Sequence, residues 1–401
     1  MAVKVRKRGI GWEYRFEGAK IDGKRKQVSK GGFRTKKEAE IAGNEAYNTF
    51  NKTGEYIVPS DISFADLLDM WLEHERANYV KTTISGYKKK IANHIKPELG
   101  KYKAKALSYC ILQDFITKLF NEGTSRYSLS GYMAILSQCF KFAIKENILV
   151  MNPMDNVMLP RTTAIPETPS KEKAHVYIEQ DEIKKIFNRF PEGSSAHIPL
   201  MLGYKCGLRL GEAFGVSWDD IDFDNKQITI NRQVQWVDKK TDKNNQGYWY
   251  IAPPKYNEVR IIDIDDDLVN LLKRTRALQL ERRHNFSNYK NLYISNNDNK
   301  INSNNDGKAI EFVSVKYDGS FCGSRIIAYV SQVVHYKLGF KEFDFHSLRH
   351  THCTMLFEND VNLKYIQKRL GHKNLEVTLQ YYIRYTEEMH IKGKAIIENM
   401  F

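Results

Sequence analysis

The sequence predicts an α+β multidomain protein. A small three-stranded sheet plus one helix comes first, then a helical bundle, then a larger mixed, mainly α domain with a small antiparallel sheet. Three observations carry this prediction. The chain has 401 residues, more than one ordinary domain holds. Its hydrophobic pattern alternates near the start, takes a helical period from about residue 63, and becomes mixed after about residue 175. Between the last two regions, "LPRTTAIPETPSKEK" (159–173) carries three prolines and no helical period, so it reads as an extended linker. The predicted boundaries are 1–56, 63–160, a linker at 161–174, a domain at 175–390 and a tail at 391–401.

In the first region, "GWEYRFEGAKIDGKRKQVSKGGF" alternates and is interrupted by glycines. It predicts a three-stranded meander with turns near Gly18-Ala19 and Asp22-Gly23. "TKKEAEIAGNEAYNTFNKTG" predicts a helix with Thr35 as N-cap, Glu38 completing a capping box, and Gly54 near the stop. The bundle follows. "SFADLLDMWLEHE" opens on the Ser63/Asp66 capping pair and presents Phe64, Leu67, Leu68, Trp71 and Leu72 as one stripe. "TTISGYKKKIANHIKPELG" spaces Ile84, Tyr87, Ile91 and Ile95 at three and four, leaving Lys88, Lys89 and Lys90 on the other face. Two further periodic stretches, "SYCILQDFITKLFNEG" and "SRYSLSGYMAILSQCFKFAIKEN", complete four or five helices.

In the third region "EQDEIKKIFNRF", "SSAHIPLMLGYKCG" and "RLGEAFGVSWDDID" predict helices. "KQITINRQVQWV", "GYWYIAPPK" and "RIIDID" predict three strands of one hairpin sheet, with Lys255 at a hairpin tip. The polar run "NNDNKINSNNDG" (296–307) predicts a surface loop. Helices resume at "GSRIIAYVSQVVHYKLG".

Composition narrows the function. A formal charge of +14 and a pI near 9.2 point to nucleic acid, whose duplex carries a charge every ~1.7 Å of axis. Residues 1–53 alone hold fourteen Lys/Arg against six Asp/Glu. Arg15, Lys24, Arg25, Lys26 and Lys30 along the strands suit a sheet that reads DNA, and Lys88, Lys89 and Lys90 suit contact with phosphate. No run of about 18 apolar residues predicts a membrane span, and the basic N-terminus lacks the apolar segment of a secretory signal. Five scattered cysteines predict reduced thiols and a cytoplasmic location.

The densest chemistry lies in "DFHSLRHTHC" (344–353). His346 and His350 have the spacing of a zinc pair on a helix, but Arg349 stands between them, always cationic and never a ligand. The arginine counts against a metal, so a nucleophile or an anion is the better reading of this stretch, with no metal and no cofactor expected. Other polar groups fall where helical pattern predicts partial burial. Arg209 lies in "GLRLGEAF", Lys255 in "PPKYNEVR", and His372 in "LGHKNLEVTLQYY", which ends on Tyr381 and Tyr382. Glu212, one turn from Arg209, either orients that guanidinium or forms a plain surface pair.

These stretches, over about 180 residues, resemble the tyrosine recombinase (phage and conjugative-transposon integrase) family. That family is marked by G-L-R-x-G-E, a lysine on a β-hairpin, H-x-L-R-H, L-G-H, and a tyrosine nine or ten residues later. The sheet-plus-helix N-terminus resembles the family's AP2-like arm-binding domain, and the bundle its core-binding domain. The resemblance implies a site-specific DNA recombinase that cuts and rejoins DNA through a 3′-phosphotyrosine. Arg209 and Arg349 would fork N–H donors onto phosphate oxygens, helped by His346 and His372, with Lys255 as general acid. His350 would be structural, and Cys353 a small core residue. "VTLQYYIRYTEEM" resembles the transposon integrases' V-T-L-x-x-Y-x-H-x-T, which favours Tyr382 as nucleophile over Tyr381; Arg384 stands where that pattern has histidine. The resemblance further implies double-stranded DNA with core-type and arm-type sites, a homo-tetramer on DNA, and an excisionase or DNA-bending protein as accessory. A type IB-like topoisomerase and a catalytically inactive DNA-binding protein are the alternatives.

Overall fold

The computed structural model describes residues 3–21, 24–53, 62–160, 177–237, 247–382 and positions 391, 394, 397 and 398. Side chains at 17–26, 49–53, 377 and 380–382 lie outside the described set. So do the predicted linker, residues 238–246, Arg384 and most of the tail. The chain divides into two compact units, residues 1–165 and 166–401.

The first unit opens on a sheet of order β1-β2-β3: β1 (Lys4–Arg8), β2 (Gly11–Ile21) and β3 (Lys24–Phe33). Its first strand precedes the stretch from which the meander was predicted. The turn falls at Gly9, φ 63°, rather than at Gly18-Ala19, which a register slip between Glu17 and Lys20 absorbs within β2. Helix α1 (Lys36–Thr53) starts as predicted, with Glu38 N–H donating to Thr35 Oγ1 at 3.2 Å and Thr35 N–H donating back to Glu38 Oε2 at 3.2 Å. It covers Tyr14 and Phe16 at close range, because a Cβ on Gly43 would lie 2.9 Å from Tyr14 Cβ. Tyr14 pairs with Lys30 and Arg15 with Ser29, so Arg15 and Lys30 stand on opposite faces of the sheet. Only their backbones are described for Lys24, Arg25 and Lys26.

The bundle comprises α2 (Phe64–His74), α3 (Lys81–Lys90), α4 (Lys96–Leu99), α5 (Tyr109–Asn121) and α6 (Arg126–Lys145). A π turn, Ile91–Ile95, joins α3 to α4 and re-aims the helix just before Pro97. The predicted stripe of α2 is buried with Ile91, Ile95, Leu112, Ile116, Leu136 and Phe140 in one core. Of the three predicted contact lysines, Lys88 and Lys89 are exposed, whereas Lys90 folds back over the Tyr132 ring, 5.1 Å from its centroid.

The second unit runs through α7 (Gln180–Arg189), α8 (His197–Cys206), α9 (Leu210–Gly215), β4 (Ile221–Asp222), β5 (Gln227–Ile230), β6 (Gln233–Val237), β7 (Tyr248–Ala252), β8 (Arg260–Asp263) and α10 (Asp266–Asn285). It continues with β9 (Leu292–Ile294), β10 (Ile301–Asn302), β11 (Lys308–Ile310), α11 (Arg325–Lys337), α12 (Phe345–Glu358), α13 (Leu363–Leu370) and α14 (Leu375–Tyr382). One predicted sheet is in fact two: β4-β5-β8 and the pair β6-β7. The break falls at Asn231-Arg232, where both side chains turn back onto the buried Asp220 carboxylate, Arg232 at 2.6 and 3.0 Å and Asn231 at 2.9 Å. The stretch 296–307 contains β10, within a third sheet of order β10-β9-β11. Asn299 (φ 56°), Asn305 (φ 59°) and Gly307 (φ 107°) supply the left-handed positions its tight turns need. Helices α8 and α12 cross closely at Gly203, where a Cβ would meet Phe345 Cζ at 2.8 Å. This crossing sets the floor of the site.

Candidate active site

The site is built where α8 ends. Gly207 caps that helix at φ 66°, and a Cβ there would lie 2.7 Å from both His352 Cδ2 and Leu370 Cδ2. Conformation and space both require glycine. Two residues on, Arg209 is the N-cap of α9 in extended backbone, which turns its side chain across the end of α13. Its Nη1 donates to Glu212 Oε1 at 2.9 Å, its Nη2 to the Gly371 carbonyl at 2.7 Å, and its own N–H to Glu212 Oε2 at 3.0 Å.

Glu212 is the electrostatic centre. Its side chain is fully buried, and Arg260 of β8 grips it twice, Nη1 to Oε1 at 3.1 Å and Nη2 to Oε2 at 2.7 Å. Arg260 Nε donates in turn to the Arg369 carbonyl at 2.8 Å. Burial alone would raise the carboxyl; the hydrogen bonds and charge of Arg260, with Arg209 and Arg349 behind it, win and hold it at about 2. Of the two readings left open for Glu212, the orienting one matches this geometry. Arg260 was not found from sequence, since a single arginine in "RIIDID" carries no spacing signal.

Arg349, from the buried face of α12, is 1% exposed. Its Nη1 donates to the Gly207 carbonyl and its Nη2 to the Leu370 carbonyl, both at 2.6 Å. Arg209 keeps 19% of its side chain exposed, while Arg349 ties Gly207 to the end of α13. His346 sits one turn earlier, exposed, its ring edge-to-face on His350 with centroids 4.6 Å apart. The four-residue spacing puts both on one face, as predicted. His352 and Cys353 are buried, and the thiol is pushed up to about 12 by burial.

His372 follows Gly371, which caps α13 at φ 63°. Its Nδ1 lies 2.9 Å from Thr378 Oγ1, a hydroxyl on the buried side of α14. Burial, then the Arg349 and Arg209 cations, lower its pKa to about 3, so the imidazole is neutral at neutral pH. A neutral ring donates from Nε2 only if Thr378 donates to Nδ1. Thr378 is a second residue the sequence reading missed.

Lys255 is exposed in the connection between β7 and β8. The structure corrects the predicted hairpin tip: β7 pairs with β6 and β8 with β5, so this connection joins two sheets. Pro253 and Pro254, without N–H groups, end β7, and Tyr256 (φ 67°) and Asn257 (φ 57°) reverse the chain. Tyr381 and Tyr382 close α14, which packs on α12 and α13; their side chains lie outside the described residues. Among the described residues no group of three His, Cys, Asp or Glu could hold a metal, and no helix is long and apolar enough to cross a membrane.

A mainly α unit in which two guanidiniums and the neutral His372 ring converge on one loop brings together the groups an anion site uses. Comparison gives this arrangement a family. Residues 177–389 match the phage integrase family, 1–49 an arm DNA-binding domain, and 63–120 the N-terminal SAM-like domain of phage integrases. The chain belongs to the phage integrase family and is a tyrosine recombinase. A XerC-like tyrosine recombinase of Caldanaerobacter subterraneus is 28% identical over 375 residues, covering 92% of this chain and 90% of the relative. The ICEBs1 integrase of Bacillus subtilis is 26% identical, covering 80% and 78%. Among solved structures, the Tn1549 transposon integrase in complex with transposon right end DNA has a TM-score of 0.61 at 19% identity, covering 84% of this chain and 99% of that one. A λ integrase tetramer bound to a Holliday junction has a TM-score of 0.55 at 16% identity, covering 94% of each.

Proposed function

We propose that this chain is the integrase of a mobile genetic element, and that Arg209, Lys255, His346, Arg349, His372 and Tyr382 carry its chemistry. The Tyr382 oxygen forms a bond to phosphorus as the bond to the 5′-oxygen breaks. The phenolic proton passes to water, and the leaving oxygen takes a proton from the Lys255 ammonium. Charge building on the non-bridging oxygens is met by the guanidiniums and by N–H donors of His346 and His372. The 3′-phosphotyrosine conserves the broken linkage, so a 5′-hydroxyl can attack it and reseal the strand. One observation supports this reading most. Arg209, Arg349 and a neutral His372 meet at residues 370–372, and α14, with its tyrosines, begins three residues later.

The domain assignment belongs to the same proposal. Residues 1–56 bind an arm-type site, 63–160 and 175–390 hold a core-type site, and 161–174 link them. Arg15, Lys24, Arg25, Lys26, Lys30, Lys88 and Lys89 contact DNA. Four protomers assemble on two duplexes, with a bending protein or excisionase setting direction, by likeness to the transposon integrase in complex with transposon right end DNA and the λ integrase tetramer bound to a Holliday junction.

A nicked duplex that loses the strand beyond the cut tests the reading. Wild type and Tyr381→Phe accumulate a covalent protein–DNA adduct, and Tyr382→Phe does not. An adduct from Tyr382→Phe moves the nucleophile to Tyr381; adducts from both single variants and from the double variant refute the mechanism.

A further inference from the structure

The residue after Lys255 has no part in the chemistry above, yet its surroundings single it out. Tyr256 keeps 54% of its surface exposed and holds a left-handed φ of 67°, followed by Asn257 at 57°. Two successive non-glycine residues in that region are costly unless their surroundings hold them there. The ring meets two ammonium groups, Lys255 Nζ at 5.2 Å and Lys373 Nζ at 5.5 Å from its centroid. Both lie within the ~6 Å at which an aromatic face attracts a cation. Lys373 follows His372 directly, in the loop that the Arg209–Gly371 and Arg349–Leu370 bonds hold. The ring therefore joins the turn that carries Lys255 to the loop that carries His372.

We infer that Tyr256 is a positioning residue for the cleavage step: its π face seats the Lys255 ammonium, with Lys373 as the second anchor, where the departing 5′-oxygen needs a proton. The inference rests on the reading of Lys255 as general acid. An aliphatic side chain fills the space but lacks the negative face, so the ammonium drifts and the turn loosens from the His372 loop. The hydroxyl has no part in this seat.

The test is single-turnover cleavage by the full chain on two core-site duplexes, one natural and one with sulfur replacing the bridging 5′-oxygen. A thiolate leaves without a proton, so the sulfur substrate bypasses the acid. On the natural substrate Tyr256→Leu slows cleavage about five- to thirtyfold, the span of two exposed cation–π contacts, and Tyr256→Phe stays within about twofold of wild type. Tyr256→Gly, which suits the left-handed backbone, is slowed like the leucine variant because the ring is gone. On the sulfur substrate Tyr256→Leu, Tyr256→Gly and Lys255→Met all return to about the wild-type rate. If Lys255→Met is rescued by sulfur and the Tyr256 variants are not, Tyr256 does not act through Lys255 and the inference falls alone. If Lys255→Met is not rescued, the general-acid reading falls and takes the inference with it. A glycine variant as fast as wild type on the natural substrate overturns the role of the ring.

Discussion

Replacing Arg260 by methionine should damage this protein far beyond what an arginine on a short strand suggests. Arg260 is 8% exposed and makes two hydrogen bonds to a carboxylate with no exposed side-chain surface. Its removal leaves the buried Glu212 with Arg209 as its hydrogen-bonded arginine and Arg349 farther off. The distance between the ordinary carboxyl value of 4.5 and the value of about 2 held here amounts to roughly 3 kcal/mol of preference for the charged form. Breaking one side of a buried ion pair costs about 3–5 kcal/mol in general. Urea unfolding should therefore show Arg260→Met losing about 3 kcal/mol, with Glu212→Gln losing a similar amount by stranding two guanidiniums on a neutral amide.

The double variant Glu212→Leu/Arg260→Met separates stability from chemistry. With no buried carboxylate left, it should regain much of the loss and fall well short of the sum of the singles. Cleavage should stay slow, because Arg209 has lost the anchor that turns it towards residues 370–372. The acid limb adds a check of sign. A depressed carboxyl adds stability in full above 4.5 and loses it as pH falls towards about 2, so wild type weakens through that window and the double variant less so. Single variants within about 1 kcal/mol of wild type, the loss of an ordinary exposed pair, or a double variant that costs the full sum, would show that Glu212 is not held by Arg260.

Two other outcomes follow from the histidines. Thr378→Val removes the hydroxyl at 2.9 Å from His372 Nδ1 and frees the tautomer, so single-turnover cleavage should slow about fivefold, one hydrogen bond's worth, at unchanged DNA affinity; an unaltered rate would show that the tautomer is set elsewhere. His352 and His372 are both held at about 3 by burial and arginine charge, from an ordinary 6.5, so the unfolded chain binds more protons and stability falls as pH drops below 6.5. Each histidine contributes a slope of up to about 1.4 kcal/mol per pH unit, and His352→Gln should flatten the curve by one proton in a titration of unfolding free energy.

What could be read in advance was whatever rests on local period or on spacing in the chain. The Thr35–Glu38 box, the α2 stripe and the shared face of His346 and His350 are of that kind, each decided by a few neighbouring residues. The strands were harder. "KQITINRQVQWV" reads as one strand because its alternation survives across Asn231-Arg232; the break is made by Asp220, a residue earlier in the chain that draws both side chains. "NNDNKINSNNDG" has loop composition, yet its asparagines are what a tight strand connection needs at positive φ. In the site, residue types marked the anion, but the supports were invisible. Arg260 reaches Glu212 across 48 positions and Arg349 reaches Gly207 across 142, distances at which no sequence pattern speaks.

The supports also add to the burial that keeps His352 and His372 neutral. Arg209, Arg260, Arg349 and Arg369 bring four permanent charges into one buried region, and among the hydrogen bonds described for them only those to Glu212 end on a carboxylate. The others end on His352 or on backbone carbonyls such as those of Gly207, Asp263, Leu370 and Gly371, which orient a guanidinium without cancelling its charge. Burial disfavours a further proton on His372 or His352, and the arginine charges beside them add to that, so both are driven down. On the proposed function, an incoming phosphodiester supplies the charge that is lacking. Its non-bridging oxygens grow more negative as the bond to tyrosine forms, so an arrangement overcharged in the resting protein comes closest to balance in the transition state. Arginine suits this task because it cannot shed its proton to relieve the excess, as histidine here already has.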